Sequence, residues 1–134
     1  MTSWTSDELT RLDDADEMRV AGTRRDGSLR TPVIVWMVRL GDDLYTRSVN
    51  GQEASWFRGA RANHLGHVSA NGVDKDVAFV DIDEGDAINA DLDAAYRAKY
   101  RRYSGPVAGI ISPLARSTTL KVVPQQQVQE GTAK

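Results

Sequence analysis

The sequence predicts a single α+β domain, mainly β with helices. Three observations carry this. Val33 to Val38 is apolar at every position, which reads as a strand buried on both faces, as in the wall of a barrel. Gly41-Asp42-Asp43 and Asn71-Gly72 are turn signals set between strand-like runs. Two stretches with helical apolar spacing, Glu53–Asn63 and Ala87–Arg102, interrupt the strands.

Composition sets the outer limits. A chain of 134 residues with 40% apolar and 27% charged residues matches one soluble domain able to bury a core without staples. The formal charge of −2 gives no basic footprint for nucleic acid. There is no cysteine, so disulfides, thiolate catalysis and Cys-based metal sites are excluded. No apolar run approaches membrane-spanning length. Met1–Leu12 lacks the charged head and apolar stretch of a signal peptide. The expectation is a cytoplasmic protein with no membrane and no nucleic-acid partner.

In chain order, Thr5 and Glu8 have capping-box spacing, and Leu9 and Leu12 share a face, predicting a helix from Ser6 to Asp14. Glu17–Arg25 reads as a strand, turning at Arg24-Arg25-Asp26-Gly27. The next strand ends at Leu40, with Pro32 near its start because proline cannot donate to a ladder. Leu44–Val49 follows, then the loop Asn50–Gln52 and the helix Glu53–Asn63. His67–Ala70 and Val77–Ile82 form a second strand pair. Ala87–Arg102 is an amphipathic helix, acidic early and basic late, as the macrodipole favours. Ser104-Gly105-Pro106 breaks it. Ser117–Val123 is the last strand. The domain spans 1–124, and the polar, Gln-rich 125–134 is expected to be a disordered tail.

The Gly41 turn permits a face assignment. A two-residue hairpin loop puts Ile34, Trp36, Val38 and Leu40 on one face with Tyr45, Arg47 and Val49. Val33, Val35, Met37 and Arg39 then share the other with Leu44, Thr46 and Ser48. A three-residue loop would swap the pairing. Each face carries an Arg among apolar residues. A buried guanidinium is costly unless a carboxylate, a ligand anion or water meets it.

Four groups could carry chemistry. Arg47-Ser48-Val49-Asn50-Gly51 leads into a helix and suits an anion, through a bidentate charge and close backbone approach; a plain turn with a surface Arg is the simpler alternative. Trp36, Tyr45, Trp56 and Phe57 could stack on a planar heterocycle, or be core. His64 and His67, three apart, lack nearby carboxylates in sequence and make a thin metal site; no metal is expected, and His67 remains a candidate proton donor. Tyr96 and Tyr100 lie on adjacent turns, and one hydroxyl could reach a pocket. No Walker loop, dinucleotide fingerprint, Ser/His/Asp order or zinc-protease motif is present.

These residues resemble an uncharacterised bacterial domain-of-unknown-function family. The resemblance rests on Pro32-Val33-Ile34-Val35-Trp36-Met37-Val38-Arg39, Asp43 through Gly51, Ser55-Trp56-Phe57-Arg58, His67 through Val73, Ala94 through Tyr100 and Ser117-Thr118-Thr119-Leu120. More remotely, the element order is similar to the split β-barrel proteins, including flavin reductases, pyridoxamine-phosphate oxidases and deazaflavin-dependent nitroreductases. That resemblance implies a six-stranded antiparallel split β-barrel and a homodimer. It also implies an oxidoreductase using FMN or a deazaflavin coenzyme. Carried over by position, Arg47, Ser48, Asn50, Gly51 and Trp56 line the cofactor site, with the ring near Trp36 or Trp56. His67 and Tyr96 are the candidate catalytic groups. The Lys-rich phosphate clamp of flavin-binding members is not evident near Arg47, and some relatives bind no flavin. A cofactor-free small-ligand binder and a cofactor-independent enzyme of specialised metabolism are the alternatives.

Overall fold

The computed structural model describes residues 3–125. Its strands are β1 (Met18–Gly22), β2 (Val33–Val35), β3 (Met37–Leu40), β4 (Asp43–Thr46), β5 (Leu65–Ala70), β6 (Val73–Asp81) and β7 (Leu120–Pro124). The helices are α1 (Ser6–Asp14), α2 (Ser55–Asn63), α3 (Ile88–Lys99), α4 (Ser104–Ile110) and α5 (Pro113–Arg116), with a 3-10 turn at Gly51–Glu53. The strands form one antiparallel sheet in the order β2-β1-β5-β6-β7-β4-β3. Only Trp36 separates β2 from β3, so the two ends of the sheet are consecutive pieces of chain and the sheet nearly closes into a split barrel.

Seven strands stand where six were expected. The single strand predicted through Ser28–Leu40 begins only at Val33 and divides at Trp36, with its first part on β1 and its second on β4. Side chains replace the ladder at the division. The Tyr100 hydroxyl accepts from the Met37 amide at 3.2 Å, and the Thr46 hydroxyl donates to the Trp36 carbonyl at 2.7 Å. The Trp36 ring lies flat on Tyr100, centroids 4.0 Å apart and planes 4° from parallel. Stacking of this kind contributes about 0.5–1.5 kcal/mol beyond area burial.

The β3–β4 hairpin has the two-residue loop, pairing Val38 with Tyr45 and Met37 with Thr46. The face assignment follows. Met37 and Leu44 point inward with Val20, Val68, Val77, Phe79, Leu120 and Val122. Leu9 and Leu12 of α1 and Phe57 and Ala60 of α2 close this core. Val38 and Tyr45 face outward, beneath Leu92, Tyr96 and Tyr100 of α3 and Val107 and Ile110 of α4. Each large apolar side chain so buried stabilises the fold by ~1.5–3 kcal/mol. The Thr5–Glu8 capping box forms as the sequence predicts.

Other elements depart from expectation. The chain restarts at α4 because Pro106 sits in a first helical turn, where its missing N–H costs nothing. Strand β4 stops at Thr46, leaving Arg47 in irregular backbone. Of the expected tail, Gln125 is fixed by its amide to the Asp76 carbonyl and by Nε2 to the Val77 carbonyl; 126–134 lie outside the described residues.

Candidate functional site

A cavity of about 490 Å³ opens where β2, the β4–α2 connection and α4 meet. Val33, Ile34, Val35 and Trp36 form one wall, Arg47 through Asn50 another, and Ala54, Ser55 and Trp56 a third, with Glu17, Pro106 and Ile110 completing it. The lining is mainly apolar with a few polar groups, the usual character of a small-molecule site. The structure brings Trp36, Arg47, Ser48, Asn50 and Trp56 to one cavity. Gly51 lies just outside. Its φ of +79° makes the turn, and a Cβ there would fall 2.5 Å from Leu114 Cδ1. It is a packing glycine.

Arg47 is 1% exposed and reaches the cavity with its donors already engaged. Nε donates to Thr119 Oγ1 at 3.0 Å. Nη1 donates to Asp93 Oδ1 at 2.6 Å and to the Ile110 carbonyl at 3.1 Å. Nη2 donates to the Asn89 carbonyl and Oδ1 at 3.3 and 3.1 Å. A guanidinium has five N–H groups, and five bonds are made. Asp93 is also bonded by Arg116. Of the three outcomes open to a buried Arg, the fold supplies the carboxylate. The sequence expectation of a free bidentate charge at Arg47 is corrected accordingly. Its partners lie 42 to 72 residues away in the chain, so local sequence carries no sign of them.

Ser48 behaves differently. Its amide donates to Thr118 Oγ1 at 2.8 Å, yet its own Oγ is buried with no partner. A buried hydroxyl without a partner is costly, and Ser48 is one of the residues lining the cavity.

His67 and Tyr96 are not brought to the cavity. His67 faces outward on β5, with Nδ1 2.8 Å from Asp76 Oδ1 and Nε2 on Asp74. Partial burial lowers its pKa, but the two carboxylates outweigh that and the pKa is raised. With both ring nitrogens facing carboxylates, imidazolium is the fitting form. Tyr96 is fully buried under the sheet, and burial pushes its phenol well up. Arg47 lies 5.4 Å from its ring centroid. Both therefore act in packing and pairing. His64 ends α2 in the left-handed region and meets Asp81 at 3.0 Å, away from His67's carboxylates. Glu17 and Ser55 line the cavity and were missed: Glu17 belongs to no motif, and Ser55 carried no chemical signal beside Trp56.

The sequence pattern of a family described as "Uncharacterized protein conserved in bacteria (DUF2255)" matches residues 8–122. The chain belongs to this family. No functionally curated protein matches it. Several solved structures share the DUF2255 chain's split-barrel fold. The crystal structure of HutZ, a heme storage protein from Vibrio cholerae, matches at TM-score 0.66 and 10% identity, covering 90% of each chain. An F420-H2 dependent reductase (FDR-A) matches at TM-score 0.58 and 13% identity, over 81% of this chain and 93% of that one. A FAD-binding protein from Mesorhizobium loti matches at TM-score 0.52 and 17% identity, over 92% of each. At these identities the likeness is one of fold. Among the described residues, no helix is long and apolar enough to cross a membrane.

The cavity can be tested against those groups. Haem needs an axial His, Met, Cys or Tyr, and the lining has none. A planar flavin-type ring fits: two tryptophans border the space and the Ser48 hydroxyl is unpartnered. A phosphate does not fit at Arg47, whose donors are taken.

Proposed function

We propose that this protein is a small homodimeric split-barrel oxidoreductase that holds the ring of FMN or a deazaflavin coenzyme between Trp36 and Trp56. One observation carries the reading: an apolar cavity of flavin-ring size bordered by two indoles and an orphaned buried hydroxyl. The shared fold with flavin- and F420-named proteins is supporting. When bound, the cofactor supplies hydride transfer. The chain's residues orient it. The indoles provide stacking surface, and Ser48 Oγ–H donates to a ring carbonyl or nitrogen. Glu17 accepts from a ring N–H, and Asn50 and Ser55 fix the rim. Ile34, 56% exposed on the cavity wall, and Val49, 49% exposed, are the apolar surface that a second copy covers.

Absorbance spectra of gently purified protein, with titration of FMN and deazaflavin, test the reading. Saturable micromolar binding of either supports it. No bound chromophore and no binding of either would sink it. A monomeric mass by light scattering at micromolar concentration would remove the dimer. The engagement of Arg47 favours one rival, a cofactor-free binder of neutral aromatic ligands. Tight binding of such a compound with no flavin affinity selects that rival.

A further inference from the structure

We infer that the cleft beside the cavity, between Arg30 and Arg58, binds the phosphate of a ligand whose planar ring occupies the cavity. This rests on the ring reading above and moves the anion site away from Arg47.

The cleft measures about 360 Å³ and is lined by Arg30, Ser55, Arg58 and Gly59. Ser55 also lines the cavity, so the two spaces adjoin at that residue. On this inference one ligand places its ring in the cavity and its anion in the cleft. Neither arginine has a carboxylate partner among the described residues, and no acidic side chain lines the cleft. The Arg30 Nε is buried with no hydrogen-bond partner. Two arginines lining one space with no carboxylate beside them form an arrangement that a dianion completes.

The positioning is built in. A Cβ on Gly59 would lie 2.6 Å from Arg30 Cδ and 2.8 Å from its Nε, so only glycine lets the Arg30 head lie across α2. Arg58 stands one turn beyond Ser55, which places both on one face of the helix. Ala54 at the N-cap offers no side-chain acceptor, so the first-turn amides of α2 are not capped from within. The chemistry selected is a phosphate with several acceptor oxygens, which suits the forked arginine donors. FMN's phosphate monoester and a deazaflavin's phosphodiester share it.

The test is a tryptophan-fluorescence titration of the full chain with FMN and with riboflavin, which differ only in the phosphate. Wild type is expected to bind FMN at least ~10-fold more tightly. Arg30→Gln with Arg58→Gln should bring FMN to the riboflavin value and leave riboflavin unchanged. Gly59→Ala, which displaces Arg30, should weaken FMN alone. An FMN preference that survives in the double variant, or is missing in wild type, overturns the inference. If neither flavin nor a deazaflavin coenzyme binds, the ring reading fails and the cleft is judged on inorganic pyrophosphate by thermal shift. Stabilisation that disappears in the double variant upholds the cleft as an anion site, and no stabilisation of wild type overturns it.

Discussion

Two pairs of arginines, one reaching the cavity through Arg47 and one lining the cleft beside it, differ in what surrounds them. Arg47 and Arg116 converge on Asp93, and every Arg47 donor has a protein acceptor. Arg30 and Arg58 converge on open space, with no carboxylate between them. An arginine in a cavity wall is thus not in itself an anion site. What decides is whether the fold has already supplied a carboxylate. The pair filled in this way ties the end of β4 to α3 and the α5–β7 connection, although Arg116 Nε is itself buried without a partner. The unfilled pair leaves charge for something that arrives.

The sharpest way to break this contrast is to remove one arginine from each pair. Arg47→Gln should destabilise the protein by about 3–5 kcal/mol, because Asp93 loses its buried partner. Arg58→Gln, on an exposed face, should change stability by no more than ~0.5 kcal/mol. Chemical denaturation of both variants checks this, and equal effects would erase the distinction.

The next test strikes the frame that sets the cavity wall. Tyr100→Phe removes the hydroxyl that accepts from Met37 at the β2–β3 division. A buried amide left without an acceptor costs about 1–3 kcal/mol. Urea unfolding should register that loss, and Trp36 fluorescence should shift as its stacking loosens.

A smaller effect separates stability from binding at the open pair. Gly59→Ala should raise thermal stability slightly, by about 0.5–1 kcal/mol, since alanine favours helix and meets only a movable Arg30 chain. Calorimetry reads this gain against the FMN weakening given above. A loss of stability would mean that Arg30 is held rigidly and belongs with the filled pair.

The smallest effect comes from a third cation, His67, which is paired like Arg47 but far more exposed. Its folded pKa is raised above 6.5, so its contribution is fully present below that value. It fades as pH rises through the folded pKa. Wild type should therefore exceed His67→Gln in stability near about pH 5.5 and converge with it in mildly alkaline buffer. A gap that widens with pH would contradict the Asp74–His67–Asp76 arrangement.

Local signals were legible wherever partners are near in sequence. The Thr5–Glu8 box, the Gly41 turn and the Val33–Val38 run gave α1, the hairpin faces and the barrel wall. The division at Trp36 was not legible, because Tyr100 lies 63 residues from the Met37 amide it serves. Pro106 reads as a breaker, but a break and a first helical turn use the same residue. At the site, Ser48 was named from the Arg47–Gly51 loop and the indoles from the aromatic set. Arg47's true role was hidden, since Asn89, Asp93, Ile110 and Thr119 reach it only in three dimensions. Arg30 belongs to no motif, Arg58 entered only as the end of Ser55-Trp56-Phe57-Arg58, and their meeting depends on Gly59.

The most direct measurement is a crystal structure of the protein grown with FMN, located by its phosphorus. The account predicts a phosphate within hydrogen-bond reach of Arg30 and Arg58, with the ring between Trp36 and Trp56 and the Arg47–Asp93 pair undisturbed. A phosphate seated on Arg47, with Asp93 displaced, would contradict it.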